Sequence, residues 1–103
     1  MSHIAIIKSG WHAAIVDRFE SACVDHLAEC APGLTCHSYR VTGVVEIPLA
    51  ARRCAESGRF AAIVAAALIA DHGIYRHEFV AQAVLDGCMQ VQQEWNTPVI
   101  YGV

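Results

Sequence analysis

Residues 60–70 read FAAIVAAALIA, an uninterrupted apolar run that lies between Arg59 and Asp71. The run is too short to cross a bilayer, which takes about 20 apolar residues in a helix. Apolar runs of this length, bounded by polar and turn-forming residues, are typical of strands in the interior of a sheet. We therefore predict that most of residues 61–70 forms the central strand of the fold.

Outward from this run, short apolar segments alternate with longer amphipathic ones. The pattern predicts three further strands, at residues 4–7, 35–41 and 99–103, and three helices, at residues 11–30, 46–57 and about 75–94. The first strand is apolar throughout, which predicts burial on both faces. The second strand is more polar and is expected at a sheet edge.

The resulting order, βαβαβαβ, determines the fold class. Strands that are separated by helices pair in parallel through right-handed crossovers. We therefore predict an α/β protein, a three-layer α/β/α sandwich around a four-stranded parallel sheet. The apolar stripes that we expect to face the sheet are Ile15, Phe19, Ala22, Cys23, Leu27 and Cys30 in the first helix and Phe79, Val80, Ala83, Val84, Gly87, Cys88 and Val91 in the third.

Composition narrows the class of protein and its partners. The 103 residues suffice for one domain, with 55% hydrophobic and 17% charged residues and a mean hydropathy of +0.38. A chain this apolar is expected to contact further copies of itself. The net charge of −3, the lack of a basic run and the lack of a signal-peptide pattern lead us to expect neither a nucleic acid nor a membrane as a partner.

The five cysteines are an odd number and include no Cys-x-x-Cys pair. This usage favours reduced, buried thiols in a cytoplasmic protein over a disulfide framework or a zinc site.

Three residues follow predicted strands, where parallel sheets bind their ligands. Trp11 can stack on a flat heterocycle, or it can pack against the helix that follows. Glu46 can cap the second helix, or it can accept hydrogen bonds from ligand hydroxyls. Gly73 precedes the third helix, so its turn can bind a phosphate through backbone N–H groups or serve as a plain turn.

The tripeptide Arg76-His77-Glu78 places a permanent cation, a titratable ring and a carboxylate side by side. Arg76 is suited to clamping an anion and His77 to moving protons near neutral pH. A solvated first turn of the third helix is an equally good interpretation. The spacing of His72 and His77 is too loose to predict a metal site, so we expect none.

Four segments carry a specific resemblance: residues 41–51 (VTGVVEIPLAA), 55–64 (AESGRFAAIV), 73–82 (GIYRHEFVAQ) and 98–103 (PVIYGV). Together they resemble the 6,7-dimethyl-8-ribityllumazine synthase family. The first is similar to its Gly-Ala-Phe-Glu-Ile-Pro-Leu motif, and the third to the variant of its second, rhizobial and Brucella-like, type. The resemblance spans the chain and implies a flavodoxin-like fold of the lumazine synthase type.

The resemblance also implies an activity in riboflavin biosynthesis. The family condenses 5-amino-6-(D-ribitylamino)uracil with 3,4-dihydroxy-2-butanone 4-phosphate to 6,7-dimethyl-8-ribityllumazine, a transferase reaction that uses no cofactor. Catalysis then consists mainly of orienting two small-molecule substrates and moving protons. The expected assembly is a homo-oligomer, a pentamer or a decamer, with active sites shared between subunits in the cytoplasm.

Site residues follow from the matched positions. Trp11 is implied to stack on the pyrimidine, and Tyr101 to enter the pocket of the neighbouring subunit. The remaining matches are the ribityl-binding segment Val44, Val45 and Glu46, the strand end Leu68, Ile69 and Ala70 beside the pyrimidine, and the phosphate-binding turn Gly73 and Ile74.

The chain departs from the family pattern in three places. Arg76 stands where the family has its catalytic histidine, so either His77 takes over the proton transfer or Arg76 only neutralises the phosphate. Val44-Val45 replaces Ala-Phe, which removes a ring from the pocket wall. The sequence ends at the fourth strand, before the family's C-terminal helical segment. These departures leave an alternative, a non-catalytic assembly that binds a flavin-type ligand.

Overall fold

The computed structural model describes residues 2–69 and 76–103. It contains the seven predicted elements in the predicted order. They are β1 (Ser2–Ser9), α1 (Ala13–Cys30), β2 (Leu34–Val41), α2 (Ile47–Ser57), β3 (Ala62–Ala66), α3 (His77–Trp95) and β4 (Val99–Gly102), with a short 3₁₀ turn (Val44–Glu46) ahead of α2. The helix-breaking Gly58, with φ of 69°, ends α2 as expected.

The four strands form one parallel sheet in the order β2-β1-β3-β4. β1 and β3 are therefore interior strands and β2 and β4 are the edges, which confirms the expected position of the more polar β2. Ile6 and Ile7 of β1 point to opposite faces and both are fully buried. The sheet is thus covered on both sides, and the predicted α/β sandwich is confirmed.

Each face of the sheet has its own apolar core. One core joins Ala5 and Ile7 of β1 to α2 and α3, which also pack on each other. The other core joins Ile4, Ile6 and Val64 to Cys23 and Val24 of α1. The helices are therefore divided between the faces, α1 on one and α2 with α3 on the other.

The extent of β3 was predicted wrongly. The strand covers Ala62–Ala66, not most of residues 61–70. Its partner β4 has only four residues, and the pairing runs from Ile63 opposite Val99 to Ala66 opposite Gly102. One further hydrogen bond, from the Ala67 N–H to the Gly102 carbonyl, measures 3.3 Å. Leu68 and Ile69 follow outside the strand.

The expected inner face of α1 was wrong in part. Cys23 packs against the core as expected, and the buried residue of this helix is Val16, but Ile15 and Phe19 are 57% and 41% exposed. The same correction applies in part to α3, where Val84, Cys88 and Val91 are buried but Phe79 is 60% exposed. The side of α1 that faces the sheet also carries two carboxylates, which pair with a lysine of β1.

This ion-pair cluster consists of Lys8, Asp17, Glu20, Ser38 and Arg40. The Lys8 Nζ lies 3.0 Å from Asp17 Oδ1 and 2.7 Å from Glu20 Oε1, and Arg40 lies 3.3 Å from the same Asp17 oxygen. Ser38 donates to the second Glu20 oxygen. Lys8 and Glu20 are largely buried, so each needs the other's charge. In this orientation the helix turns Glu20 toward Lys8, and Ile15 lies exposed.

The cluster changes the pKa of each partner. Hydrogen bonding to Glu20 and Asp17 raises the pKa of Lys8. The hydrogen bond from Lys8 lowers the pKa of Asp17. Burial alone would raise the pKa of Glu20, but the hydrogen bonds from Lys8 and Ser38 outweigh it and the pKa is lowered.

The five cysteines, all within the described residues, form no disulfide. The expectation of buried thiols holds fully for Cys88, whose pKa burial raises to about 11. Cys30 is exposed, and Cys23, Cys36 and Cys54 are half-buried. None of the described helices is both long and apolar enough to cross a membrane.

The contact between α2 and α3 depends on Gly87. A Cβ atom at this position would lie 2.8 Å from Pro48 Cβ and 2.9 Å from its Cγ. Neither atom can move aside easily, because the ring of Pro48 is rigid. The two helices therefore approach as closely as they do only because Gly87 has no side chain.

We predict that Gly87→Ala destabilises the protein. Overpacking typically costs about 1–3 kcal/mol, which exceeds the roughly 1 kcal/mol that alanine gains over glycine inside a helix. The free energy of unfolding in urea measures the difference. Gly33→Ala is the control, since nothing lies within 4 Å of a Cβ there. Equal stability of the two variants would contradict the close contact.

We predict that acid weakens the protein through the ion-pair cluster. Asp17 and Glu20 have folded-state pKa values below their unfolded values, so their ionised forms stabilise the protein at neutral pH. This contribution disappears as the pH falls below about 4, through the lowered values. Lys8→Met should lower the unfolding free energy at pH 7 by about 1–3 kcal/mol and shrink the loss between pH 7 and pH 3.

The control for this prediction is Arg52→Met. Arg52 pairs with Glu56 at 3.0 Å on the exposed side of α2, where an ion pair contributes less than about 0.5 kcal/mol. An unchanged acid sensitivity in Lys8→Met would contradict the assignment of that sensitivity to the cluster.

Candidate functional site

A cavity of about 460 Å³ lies at the carboxyl ends of β1, β2 and β3. Among the described residues it is lined by Ser9 at the end of β1, by Trp11 and His12 after it, by residues 42–46 after β2, by Leu68 and Ile69 after β3, and by Val80 of α3. The connection after β1 leads to β2 on one side of β1, whereas the connection after β2 leads to β3 on the other side of β1. The cavity therefore occupies the crevice where the strand order reverses, the place where sheets of this class bind ligands.

The loop after β1 is held at this edge by backbone contacts. The Gly10 N–H donates to the Val41 carbonyl oxygen at 2.9 Å, which ties the loop to the end of β2. His12 has a left-handed conformation, with φ of 55°, and its carbonyl accepts hydrogen bonds from the N–H groups of Ile15 and Val16. This turn begins directly after Trp11, which lines the cavity.

Trp11 and Glu46 approach each other over Gly43. The Glu46 N–H donates to the Gly43 carbonyl at 3.2 Å, which closes the turn. A Cβ at Gly43 would lie 3.1 Å from Glu46 Oε2 and 3.9 Å from Trp11 Nε1. Gly43 thus leaves room for an aromatic ring and a carboxylate at one end of the cavity.

Both residues line the first cavity, and their roles in ligand binding stay predictions. Trp11 is 66% exposed, so its ring is available to a ligand and is not packed under a helix. Glu46 directly precedes α2, and its side chain makes no capping hydrogen bond. Its carboxylate is therefore available to ligand hydroxyls. Val44 and Val45, also predicted for the site, line the same cavity.

A second cavity, of about 570 Å³, holds the predicted residues His77 and Tyr101. Leu68 and Ile69 line both cavities, so the segment that leaves β3 forms a wall between them. The Tyr101 hydroxyl donates to the Ala81 carbonyl at 3.3 Å. Burial raises its pKa, so the phenol is neutral at physiological pH.

The tripeptide at the start of α3 is divided between solvent and the second cavity. The guanidinium of Arg76 lies 4.3 Å from the ring centre of Phe79, and its Nε lies 3.9 Å from Glu78 Oε1. His77 is half-buried, with Nδ1 3.2 Å from Glu78 Oε2. Glu78 therefore lies near both basic groups, and Arg76 lines neither cavity.

Three predicted site residues, Ala70, Gly73 and Ile74, and the histidine His72 lie outside the described residues. Within residues 2–69 and 76–103, no group of three or more His, Cys, Asp or Glu side chains is placed to hold a metal ion.

Sequence reasoning missed five residues of the first cavity: Ser9, His12, Thr42, Gly43 and Val80. Ser9 is the last residue of β1, and His12, Thr42 and Gly43 follow the ends of β1 and β2, so their position was the available signal. Val80 comes from the predicted stripe of α3, and no pattern distinguished it from a core residue.

Comparison with known proteins identifies the family. The model for 6,7-dimethyl-8-ribityllumazine synthase matches residues 1–103. The chain belongs to the 6,7-dimethyl-8-ribityllumazine synthase family. It is 50% identical over 97 residues to 6,7-dimethyl-8-ribityllumazine synthase of Rhodococcus erythropolis, an alignment that covers 93% of this chain and 63% of the relative. The family expected from the four motifs is thus confirmed.

Two further relatives are named 6,7-dimethyl-8-ribityllumazine synthase 2. The protein of Pseudomonas syringae pv. tomato is 45% identical over 93% of this chain and 57% of its own length. That of Bradyrhizobium diazoefficiens is 39% identical over 97% of this chain and 60% of its own length. The chain therefore spans about three fifths of the length of these lumazine synthases.

Proposed function

We propose that the protein forms 6,7-dimethyl-8-ribityllumazine from 5-amino-6-(D-ribitylamino)uracil and 3,4-dihydroxy-2-butanone 4-phosphate. The observation that carries the proposal is the first cavity, which combines an exposed indole with a free carboxylate at the switch point of the sheet. A flat pyrimidine with a polyhydroxyl chain needs both kinds of group. The proposal is also supported by relatives of this chain that are named 6,7-dimethyl-8-ribityllumazine synthase.

In this proposal Trp11 stacks on the pyrimidine. Its ring is exposed at the mouth of the cavity, and stacking of a base on an aromatic side chain contributes about 1–3 kcal/mol. Leu68 and Ile69 supply an apolar wall for the ring, and Ala70 continues the same segment. The ring is thereby removed from water on both sides.

The ribityl chain is assigned to the segment Val44, Val45 and Glu46. Glu46 Oε2 accepts hydrogen bonds from the hydroxyl groups of the ribityl chain, since the carboxylate makes no capping hydrogen bond. The two valines contact the carbon skeleton. Because Val45 is 58% exposed, a bound chain would also cover apolar surface that otherwise faces solvent.

The phosphate substrate is assigned to the start of α3. Gly73 and Ile74 bind the phosphate through backbone N–H groups. The guanidinium of Arg76 moves from Glu78 to the phosphate and neutralises the phosphate charge. His77 moves the protons, because arginine stays protonated at neutral pH and cannot do so. No cofactor is needed for this sequence of imine formation, phosphate elimination and ring closure.

The pocket is completed by another subunit in this proposal. Tyr101 lies in the second cavity, separated from Trp11 by the wall of Leu68 and Ile69, and would reach the pocket of a neighbour. Exposed apolar side chains such as Leu49 and Ile100 support an assembly. We propose a pentamer or a decamer, in the cytoplasm, where five unpaired cysteines remain reduced.

The test is formation of the fluorescent lumazine from the two substrates, measured against the uncatalysed background. We expect acceleration by the wild type, and a loss of about 1–3 kcal/mol of binding free energy for the ribitylaminouracil in Trp11→Ala. Trp95→Ala is the matched control, because Trp95 ends α3 and lines neither cavity.

Three results would contradict parts of this proposal. Wild-type protein that gives no acceleration would leave only binding of a flavin-type ligand. Equal affinity in Trp11→Ala and Trp95→Ala would remove Trp11 from the site. A particle of 11.2 kDa in sedimentation of the same sample would contradict the shared pocket.

A separate prediction concerns the proton transfer. His77→Ala should lower the rate of lumazine formation by about 10²–10⁴-fold, the usual contribution of a positioned acid or base. His26→Ala is the control, since His26 lies exposed near the end of α1. A rate within a few-fold of wild type would exclude His77 as the proton-transfer group.

A further inference from the structure

Ser9 carries a buried hydroxyl that has no hydrogen-bond partner in the described part of the chain. The residue is the last of β1 and is only 2% exposed. Alternation along the strand places its side chain on the face of Ala5 and Ile7, which belong to the apolar core under α2 and α3. The Ser9 hydroxyl therefore lies next to apolar side chains on this face of β1.

Other serines of this chain do not share this condition. Ser38 donates to a Glu20 oxygen, and Ser57 donates to the Cys54 carbonyl at 2.6 Å. Buried polar side chains are partnered in the large majority of cases, because a hydroxyl without a partner loses its bonds to water and gains nothing in return. Alanine at position 9 would fit the same space without that loss.

The position of Ser9 suggests what the hydroxyl is for. The residue lines the first cavity together with Trp11 and Glu46. No hydrogen bond fixes its rotamer, so rotation about the Cα–Cβ bond between staggered positions can turn Oγ toward a bound molecule. A hydroxyl both donates and accepts, and so suits a ligand oxygen or a ring nitrogen.

We propose that Ser9 is a ligand-binding residue whose hydroxyl finds its partner only when the cavity is filled. Trp11 and Val45 are exposed at the mouth of the cavity, whereas Ser9 is buried at its floor. The partner is a hydroxyl, carbonyl or ring nitrogen of a heterocyclic polyol that reaches this floor. This inference rests on the proposed function, and it adds a contact that selects for a polar group at the inner end of the ligand.

Ser9→Ala tests the inference with two readouts of opposite sign. The ligand-free variant should be more stable, with a thermal midpoint raised by about 4 °C, because the unpartnered hydroxyl is gone. Its affinity for 6,7-dimethyl-8-ribityllumazine, followed by fluorescence titration, should fall about tenfold. Ser38→Ala is the matched control, in which stability falls and affinity stays the same, since Ser38 is partnered and lies outside the cavity.

Each other outcome overturns the inference. Unchanged affinity in Ser9→Ala, with normal binding by the wild type, rejects the contact and leaves the proposed function intact. A lowered midpoint rejects it as well, because the hydroxyl would then have a structural partner. A wild-type protein that does not bind the lumazine rejects both the proposed function and the role of Ser9.

Discussion

The burial of β1 and β3 on both faces is the constraint on which the structure depends. A parallel strand that is covered on both sides requires helices in two layers. Each connection then runs over one face of the sheet, from the carboxyl end of one strand to the amino end of the next. Here α1 covers one face while α2 and α3 cover the opposite one. The loops that follow the strands consequently lie together at the carboxyl end of the sheet. A crevice is left there between connections that lead to opposite sides of β1.

The segment that follows β3 determines how that crevice is divided. β3 ends at Ala66. Leu68 and Ile69 lie beyond the end of the strand and line a cavity on each side. The two cavities thus share a wall formed by these two residues. The aromatic ring and carboxylate face one of them, and the histidine and tyrosine face the other.

Much of the fold was predictable because hydrophobic periodicity and turn residues are local signals. The end of α2 at Gly58 and the polar edge strand β2 are examples. The orientation of α1 was not predictable, since it depends on Lys8, Asp17 and Glu20 meeting across elements that are distant in sequence. The same holds for the site. Position after a strand identified Trp11 and Glu46, whereas the separation of His77 from them follows from tertiary packing alone.

The contact between Gly87 and Pro48 has a consequence for how such chains can vary. Because the Pro48 ring packs directly on Gly87, the contact cannot accept a larger residue at position 87 unless the residue at position 48 is smaller or the two helices move apart. Positions 48 and 87 are therefore expected to change together among related sequences. A chimera that takes α2 from one parent and α3 from another should assemble only when both positions come from the same parent.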